Sequence, residues 1–270
     1  MGAKATQLSA GSIPEAYDRH LGPLLFEPYA ADLAERVKAL APRKILEVAA
    51  GTGIATRALA AALPEAEILA SDASPAMIDL AATRLSAPGV AFQQADAHAL
   101  PFEDARFDCV ACQFGVMFFG DRRAAFLEAR RVLAPGGRYL FSVWADLGAN
   151  DFAEAVTEEL EARFPEDPPR FLMRTPYGHH NIGHLSHDLA AAGFTDVRVD
   201  TLEKKARAPS ARDVAIGFCQ ASTPLGAEIA ARDPGGVEAT TEAVAEALTR
   251  RFGAGPIEGR LRAHIFSAAR

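Results

Sequence analysis

Short apolar runs alternate with helical patterns over residues 44–144, and this alternation limits the possible folds more than any other feature of the chain. Five runs are compact and β-prone: KILEVA (44–49), EILAS (67–71), VAFQQ (90–94), FDCVAC (107–112) and GRYLFSVW (137–144). Helical patterns fill the intervals at about residues 54–63, 75–86 and 122–133. Strand, helix and strand in repeated succession predict an α/β fold whose parallel sheet is covered by helices on both faces.

The ends of these elements carry recognisable signals. Asp121 is placed to cap the third helix, and the Pro-Gly-Gly sequence at residues 135–137 is placed to end it. FDCVAC and YLFSVW are almost continuously apolar, which is typical of central strands. A further helix and strand are predicted in LSHDLAAAGFTDVRVDTL, and the alternation in GRLRAHIFSAAR predicts a last strand.

Three segments lie outside this repeat. Residues 13–42 predict one or two helices before the first strand. After the fifth strand, NDFAEAVTEELEARF predicts a helix because its apolar residues recur every four positions, and PEDPPRFLMRTPYGHHNIG is loop-like. A third stretch, residues 210–255, has helical patterns in RDVAIGFCQAS and EATTEAVAEALTRRF. We interpret the three segments as lids on one domain, with these boundaries: an N-terminal helical lid segment at 1–43 and a main domain at 44–270, carrying insertions at about 145–183 and 208–256.

Bulk properties restrict the partners. The formal net charge of −7 over 270 residues leaves no basic surplus to neutralise a nucleic-acid backbone. No apolar run approaches the roughly 20 residues that span a bilayer, and the start, MGAKATQLSAGS, lacks the apolar core of a signal peptide. We therefore expect a cytoplasmic protein that binds neither nucleic acid nor membrane.

The three cysteines do not indicate a metal or redox site. Cys109 and Cys112 have C-x-x-C spacing, but they lie in a predicted strand, where positions three apart point to opposite faces. We predict that these two residues and Cys219 are buried free thiols, and we predict no metal ligands.

The stretch ILEVAAGTGIAT, residues 45–56, predicts a ligand-binding turn between the first strand and the first helix. A dinucleotide fingerprint needs three glycines, whereas Thr56 follows Gly51 and Gly53 at the third position. A phosphate loop is excluded because the chain has no Gly-Lys pair. There remain Glu47 within the strand and a glycine turn whose backbone N–H groups can approach an anionic group such as a carboxylate.

Two more carboxylates follow at the ends of the next strands. Asp72 ends the second strand 21 positions after Gly51, where an acid can accept from both hydroxyls of a ribose. Asp96 ends the third strand, in QADAHALPF, where the exocyclic amine of adenine can be recognised. Acids at three successive strand ends predict an adenosine ligand with a cationic, amino-acid-like tail.

These motifs resemble those of class I S-adenosylmethionine-dependent methyltransferases over about residues 13–204 and the last strand. ILEVAAGTG resembles the first motif of the family, with Ala49 in place of its first glycine, and ASDASPAMID and QADAHALPF resemble the second and third. FDCVACQFGVMFF, followed by RRAAFLEARRVLAPGGRYLFSVW, is similar to the small-molecule branch that includes enzymes of quinone biosynthesis.

The resemblance implies a Rossmann-like three-layer sandwich, with a seven-stranded, mostly parallel sheet of order 3-2-1-4-5-7-6 and an antiparallel last strand. It implies S-adenosyl-L-methionine as cofactor and S-adenosyl-L-homocysteine as product. The cofactor-binding residues that it implies are Tyr17, Glu47, Ala49, Gly51, Thr52, Gly53, Asp72, Ala73, Met77, Asp96, Ala97 and Gln113.

Within that set, the resemblance implies Glu47 at the amino-acid end of the cofactor, Asp72 on the ribose and Met77 against adenine. It implies Asp96 and the Ala97 backbone around the adenine amine. Structural alternatives stay open: a solvent-facing Glu47, a loop acid at Asp96, a core Met77, and Asp72 as the cap of the helix at Pro75, a role that Ser74 can also fill.

Methyl transfer from a sulfonium needs a base only when the acceptor carries a proton. The candidate bases are His20, in the N-terminal segment beside Tyr17, and His179 and His180 in the insertion loop YGHHNIGH. The alternative for each is a surface or substrate-shaping role. A metal site formed by His180 and His184 is disfavoured because Gly178 and Gly183 argue against a helix there.

We therefore predict methyl transfer to O, N or C of a small, apolar or ring-bearing acceptor. The fourth strand is followed by CQFGVMFF rather than by an Asn- or Asp-Pro-Pro-Tyr motif, which disfavours methylation of DNA bases. The alternative is a nucleoside-binding or partner-binding protein that retains the fold without catalysis. A homodimer is possible. The aromatic residues that predict the acceptor, unless they belong to the core, are Phe118, Phe119, Trp144, Phe152, Phe171 and Phe218.

Overall fold

A seven-stranded sheet organises the chain in the computed structural model, which describes residues 13–270. The strands are β1 (Lys44–Val48), β2 (Glu67–Asp72), β3 (Val90–Gln94), β4 (Phe107–Gln113), β5 (Leu133–Trp144), β6 (Thr195–Ala208) and β7 (Ile257–Ala269). Their order is β3-β2-β1-β4-β5-β7-β6. The ladders from β3 to β5 are parallel, and β7 pairs antiparallel with β5. The predicted strand order and antiparallel last strand are confirmed.

Eleven α-helices occur in the described part of the chain. They are α1 (Ile13–His20), α2 (Glu27–Lys38), α3 (Ile54–Ala62), α4 (Pro75–Arg84), α5 (Arg122–Val132), α6 (Asp151–Arg163), α7 (Phe171–Arg174), α8 (Ile182–Ala191), α9 (Ala211–Ile216), α10 (Thr223–Arg232) and α11 (Val237–Phe252). Two short π-helices lie at Gly22–Phe26, one residue after α1, and at Gly217–Ala221, directly after α9.

Side-chain alternation along β5 shows why helices cover both faces of the sheet. Leu140 belongs to a buried cluster with apolar residues of α2 and α3, including Leu33 and Leu59. Its neighbours in the strand point to the other face, where Tyr139 and Phe141 lie in ring contact with Phe126 of α5. A strand that is apolar at every position therefore supplies two cores, which gives the three layers of the Rossmann-like sandwich.

The structure corrects one strand boundary. Asp121 caps α5 as predicted, with its Oδ1 accepting a hydrogen bond from Ala124 N at 3.0 Å. The Pro-Gly-Gly sequence, however, lies inside β5 rather than before it, because β5 already begins at Leu133. The register against β4 shifts between the pairs Phe107–Leu133 and Cys109–Arg138, and this irregularity accommodates the extra residues.

The segments outside the repeat contain more helices than the sequence patterns predict. The loop-like stretch after α6 contains α7 and the start of α8, whose N-cap Asn181 accepts a hydrogen bond from His184 N at 2.9 Å. Gly183 therefore lies within a helix, contrary to expectation, because the cap outweighs the cost of one glycine in the first turn. The helix α10 was not predicted.

The described residues divide into two compact units. The first unit consists of the described residues up to Leu25 together with Asp146–Gly178 and Lys204–Leu261. The second consists of Phe26–Ala145, His179–Glu203 and Arg262–Arg270. The second unit contains all of β1 to β5 and the helices α2 to α5 and α8.

Packing within the first unit follows the predicted four-residue spacing. Phe152, Val156 and Leu160 of α6 are buried, as their spacing predicts. The ring of Phe152 meets the ring of Phe252 in α11 edge to face, with centroids 4.9 Å apart.

The cysteines are buried free thiols, as predicted, and burial raises the pKa of Cys109, Cys112 and Cys219 to about 12. Within residues 13–270, no helix has the length and apolar character needed to cross a membrane.

Candidate functional site

The turn between β1 and α3 has the backbone conformation that glycine favours at three positions. Ala49, Gly51 and Gly53 have φ angles of 56°, 57° and 78°. Gly53 is the N-cap of α3, and a Cβ on Gly53 would lie 3.1 Å from the Cβ of Ala81. A Cβ on Gly51 would meet no described atom within 4 Å, so the turn faces open space at this residue. The turn thus leaves room for a ligand where the sequence predicts one.

The carboxylate of Asp72 ties this turn to the end of β2. Its Oδ2 accepts a hydrogen bond from Gly51 N at 2.8 Å, and its Oδ1 accepts one from Ser74 N at 2.9 Å. Ser74 is the N-cap of α4, with its Oγ accepting from Met77 N at 3.4 Å, so the helix does not depend on Asp72 as its cap. Each carboxylate oxygen has a second acceptor site, which leaves Asp72 able to accept from a ligand hydroxyl.

Glu47 lies in the middle of the sheet, next to the turn. It pairs in register with Ala70 of β2 and Ala111 of β4 and is only 1% exposed. A solvent-facing Glu47 is therefore ruled out. Burial raises the pKa of Glu47 to about 8; the hydroxyl of Thr56 beside it acts in the opposite direction, and the nearby charge of Asp72 acts in the same direction as burial. Within the described chain, Glu47 Oε2 has no hydrogen-bond partner.

A buried carboxyl oxygen without a partner is uncommon and costly, and it is a reason to look for a missing ligand group. The hydroxyl of Thr56, in the first turn of α3, and the amide Oε1 of Gln113, at the end of β4, are also buried and unpartnered among the described residues. Gln113 is held in place by its Nε2, which donates to Phe26 O at 2.9 Å. These polar atoms fit a ligand with its own donors, such as an ammonium group.

Asp96 occupies a tight turn after β3. Its side chain is 61% exposed, and its Oδ1 accepts from the backbone N of His98 at 2.9 Å. The Nδ1 of His98 lies 2.6 Å from the same Oδ1. Hydrogen bonds from His98 lower the pKa of Asp96, so this acid is ionised at neutral pH. Sequence reasoning missed His98, although its position two residues after Asp96 was a usable signal.

The other predicted residues lie around the same strand ends. Thr52 is buried in the turn, and its carbonyl accepts from Arg57 Nη1 at 3.0 Å. Ala73 is exposed, and its carbonyl accepts from Gln94 Nε2 at 3.1 Å. Met77 is half-buried, and Ala97 is buried. The structure therefore brings ten of the predicted cofactor-binding residues to β1–β4 of one unit: Glu47, Ala49, Gly51, Thr52, Gly53, Asp72, Ala73, Asp96, Ala97 and Gln113.

Two predicted residues lie in the first unit. Tyr17 and His20 are both in α1 and half-buried. The Nδ1 of His20 is 3.8 Å from Asp213 Oδ1. Burial lowers the pKa of His20, and Asp213 opposes this effect. His20 is therefore neutral near pH 7.

The other two candidate bases lie in the second unit. Arg122 Nη1 is 2.7 Å from His179 Nδ1. Burial lowers the pKa of His179, and the charge of Arg122 lowers it further. His180 is exposed and precedes the N-cap of α8, so it is not one helical turn from His184. Within residues 13–270, no cluster of three His, Cys, Asp or Glu residues has the geometry of a metal site.

Most of the aromatic residues considered as acceptor contacts belong to the core. Trp144, Phe152, Phe171 and Phe218 are buried, whereas Phe118 is 55% exposed. Trp144 stacks on Phe114, with centroids 3.7 Å apart and an interplanar angle of 9°, and Tyr29 and Phe26 pack around this pair. Phe119 is half-buried and meets the His98 ring edge to face.

Comparison with known proteins assigns this arrangement to a family. The family model described as a methyltransferase domain matches residues 45–137. A malonyl-[acyl-carrier protein] O-methyltransferase of Methylococcus capsulatus is 30% identical over 216 residues, which are 77% of this chain and 66% of that protein. The chain belongs to the class I S-adenosylmethionine-dependent methyltransferases.

Other members of the class I methyltransferases match over shorter stretches. A demethylmenaquinone methyltransferase of Thermus thermophilus is 42% identical over 118 residues, 41% of this chain and 54% of that protein. The chain spans about half the length of the demethylmenaquinone methyltransferases that it matches, from 44% to 54%. In fold, the chain is similar to phosphoethanolamine N-methyltransferase 2 of Haemonchus contortus in complex with S-adenosyl-L-methionine, with a TM-score of 0.61, 17% identity and coverage of 98% of this chain and 58% of that one.

The departure from the family motif at Ala49 gives a first prediction. An alanine at φ 56° is strained, and Ala49→Gly should stabilise the protein by up to about 1 kcal/mol. Gly115→Ala should destabilise it by about 1–3 kcal/mol, because the new Cβ would lie 2.5 Å from Ala49 Cβ and 2.7 Å from Cys112 Sγ.

The free energy of unfolding of the double variant Ala49→Gly/Gly115→Ala should be higher than the sum of the two single changes predicts, because the Cβ of Ala49 is absent and one of the two close contacts is gone. Urea unfolding measures the four free energies of the cycle. Gly120→Ala is the matched control, since a Cβ there meets nothing within 4 Å. Strict additivity in the cycle would contradict the packing described here.

Glu47 gives a second prediction, on the pH dependence of stability without ligand. Its folded-state pKa of about 8 is above the value of 4.5 for a solvated carboxyl, so the folded protein holds a proton that the unfolded chain releases. This contribution to the free energy of unfolding is present in full below about pH 4.5 and is lost as the pH rises through 8, a change on the order of 3–5 kcal/mol.

Glu47→Gln removes the titrating group, so its free energy of unfolding should fall less between pH 5 and pH 8.5 than that of the parent. Urea unfolding at four pH values in this range measures the difference. Glu67→Gln is the control, because Glu67 is an exposed carboxyl at the start of β2. Parallel pH curves for the parent and Glu47→Gln would show that Glu47 is not held in its neutral form.

Proposed function

We propose that this chain transfers a methyl group from S-adenosylmethionine to O, N or C of a small, apolar or ring-bearing acceptor, by in-line displacement. The observation that carries the proposal is the junction at the ends of β1 and β2. There the Asp72 carboxylate holds the open turn at Gly51, and the buried Glu47 Oε2 is left without a partner among the described residues.

The residues at this junction suit each part of the cofactor. Glu47 and Gln113 offer buried oxygen acceptors to the ammonium group, and the turn N–H groups offer donors to the carboxylate. Asp72 accepts the ribose hydroxyls through the acceptor sites that its backbone bonds leave unused. Asp96 accepts the adenine amine, with Ala97 N beside it, and Met77 packs against the base. Tyr17 contributing to cofactor binding stays a prediction.

When bound, S-adenosylmethionine supplies a methyl group that the sulfonium has already activated. The work of the protein is then mainly positional: holding donor and acceptor at attack distance supplies on the order of 7–11 kcal/mol. Methyl transfer carries the positive charge from sulfur to the acceptor, where it is neutralised if the acceptor is an anion, so exclusion of water by the protein also favours transfer to such an acceptor. The role of the three helical segments as lids stays a prediction.

The relatives do not select one acceptor. One is named for demethylmenaquinone, and the other is named as an O-methyltransferase of malonyl-[acyl-carrier protein], in which the malonyl group is carried by a protein. A cytoplasmic location, a possible homodimer and the absence of nucleic-acid binding stay predictions. The second candidate function, nucleoside binding without catalysis, is favoured if the chain binds S-adenosylhomocysteine but transfers no methyl group to any of a panel of quinols, phenols, amines and carboxylic acids.

The third prediction tests the cofactor site. Asp72→Ala should weaken binding of S-adenosylhomocysteine by about 1–3 kcal/mol, roughly 5- to 150-fold, because a charged hydrogen-bond acceptor is lost. Calorimetric titration measures the affinity, and Asp79→Ala, an exposed acid on α4, is the matched control. Unchanged affinity in Asp72→Ala would remove Asp72 from the site. Tight binding of NAD, with no binding of the sulfur nucleoside, would overturn the proposed function.

The fourth prediction ranks the candidate bases. A guanidinium only donates, so Arg122 occupies the Nδ1 lone pair of His179, and the proton of the neutral ring is on Nε2. His179 therefore has no lone pair free for a substrate proton. In His20 the Asp213 carboxylate lies on the Nδ1 side, which favours a proton there and leaves Nε2 as an acceptor. His180 is exposed to water, which favours it least.

With a naphthohydroquinone as probe acceptor, His20→Gln should lower kcat by about 10²- to 10⁴-fold at unchanged affinity for S-adenosylhomocysteine. His179→Gln and His180→Gln should each change kcat less than tenfold. In the parent, the rate should fall as the pH drops below the lowered pKa of His20, because the protonated ring accepts no proton. An unchanged kcat in His20→Gln would exclude His20 as the base.

A further inference from the structure

His98 stands out among the residues that sequence reasoning missed, because both of its ring nitrogens have a defined partner. Its Nδ1 lies 2.6 Å from Asp96 Oδ1. Its Nε2 accepts from Asp121 N at 3.4 Å, and its ring meets Phe119 edge to face, with centroids 5.7 Å apart. An imidazole in three separate contacts is held in one orientation.

The partners also define the tautomer of His98. An ionised carboxylate only accepts, so Nδ1 carries the proton and donates it to Asp96. A backbone N–H only donates, so Nε2 is the unprotonated nitrogen that faces Asp121. The two partners therefore match one tautomer of the imidazole, with the proton on Nδ1.

The effect of His98 falls on one oxygen of Asp96. Oδ1 accepts from both the backbone N and the ring of His98, whereas no described residue donates to Oδ2. The turn at residues 96–99 does not need the ring. It is formed by the hydrogen bond from His98 N to Asp96 Oδ1 and by the bond from Ala99 N to Asp96 O at 3.0 Å. The ring adds a second restraint, which fixes the direction in which Oδ2 points.

A carboxylate that is 61% exposed needs such a restraint if it is to recognise a ligand. An unrestrained, exposed side chain loses rotamer freedom on binding, and this costs about 0.5–1.5 kcal/mol of affinity, or roughly 2- to 12-fold. Asp96 orients itself through Oδ1 and leaves Oδ2 available beside the buried backbone of Ala97.

We propose that His98 is a positioning residue for base recognition: it holds the Asp96 carboxylate so that Oδ2 accepts the exocyclic amine of adenine. This proposal rests on the proposed function, because it assumes that the cofactor base lies at the end of β3. The ring of His98 contacts Asp96 rather than the cofactor and takes no part in methyl transfer.

The experiment compares two ligands that differ only at the amine. One is S-adenosylhomocysteine, and the other is its 6-desamino analogue, in which a hydrogen atom replaces the exocyclic amine. Calorimetric titration gives the affinity of the parent, His98→Ala, His98→Asn and Asp96→Asn for both. The amide of Asn reaches about as far as the Nδ1 of histidine, so His98→Asn restores the donor to Asp96. His187→Ala, at an exposed histidine on α8, is the matched control.

We expect His98→Ala to bind S-adenosylhomocysteine roughly 2- to 12-fold more weakly and the 6-desamino analogue as tightly as the parent does. His98→Asn should recover most of the loss, and His187→Ala should bind both ligands like the parent. An equal loss for both ligands in His98→Ala would assign the ring a purely structural role and overturn the proposal, and so would the absence of any loss.

The two proposals fail in distinguishable ways. If Asp96→Asn reduces the preference for the amine and His98→Ala does not, only the role of His98 is wrong. If no variant, including Asp72→Ala, changes the affinity for S-adenosylhomocysteine, or if the parent does not bind it, the proposed function itself is wrong.

Discussion

The hydrogen bonds of Asp72 are the interaction on which the rest of the site depends. One carboxylate joins the turn after β1 to the turn after β2, through Gly51 N at 2.8 Å and Ser74 N at 2.9 Å. Both turns are loops, and loops without such a tie sample many conformations. Because β1 and β2 are adjacent and parallel, their carboxyl ends meet at one edge of the sheet, and a short acid can bridge them.

Two of the acids at that edge, Glu47 and Asp96, have pKa values shifted in opposite directions. Glu47 is buried between two strands, which raises its pKa to about 8, so it is mostly neutral at pH 7 in the absence of ligand. Asp96 is exposed and receives hydrogen bonds from His98, which lower its pKa. A cationic ligand group beside Glu47 favours the ionised form and offsets part of the cost of burial. At the proposed cofactor site, binding of such a cationic group would release the proton of Glu47.

The hydrogen-bond partners of His98 and His179 give these two histidines different chemical properties. His98 and His179 each have a charged or polar group on a ring nitrogen, and that group determines which nitrogen carries the proton. Arg122 donates to His179 Nδ1 and so occupies the ring nitrogen that could accept a proton. Asp96 accepts a hydrogen bond from His98 Nδ1, and this bond orients the Asp96 carboxylate. Two residues of the same type, both near strand or helix ends, therefore suit different tasks.

The sequence by itself determined the strands, their order through the family resemblance, and the acids at the strand ends, because burial, turn chemistry and side-chain alternation are local properties that a linear pattern records. It did not reveal that the Pro-Gly-Gly sequence lies inside β5, that α10 exists, or that His98 holds Asp96. The β5 boundary and the His98 contacts depend on residues distant in the chain: Phe107 pairs with Leu133, and Asp121 donates to His98. Only the tertiary structure decides which partners a side chain finds, because hydrogen bonds and register act across elements that the sequence does not place side by side.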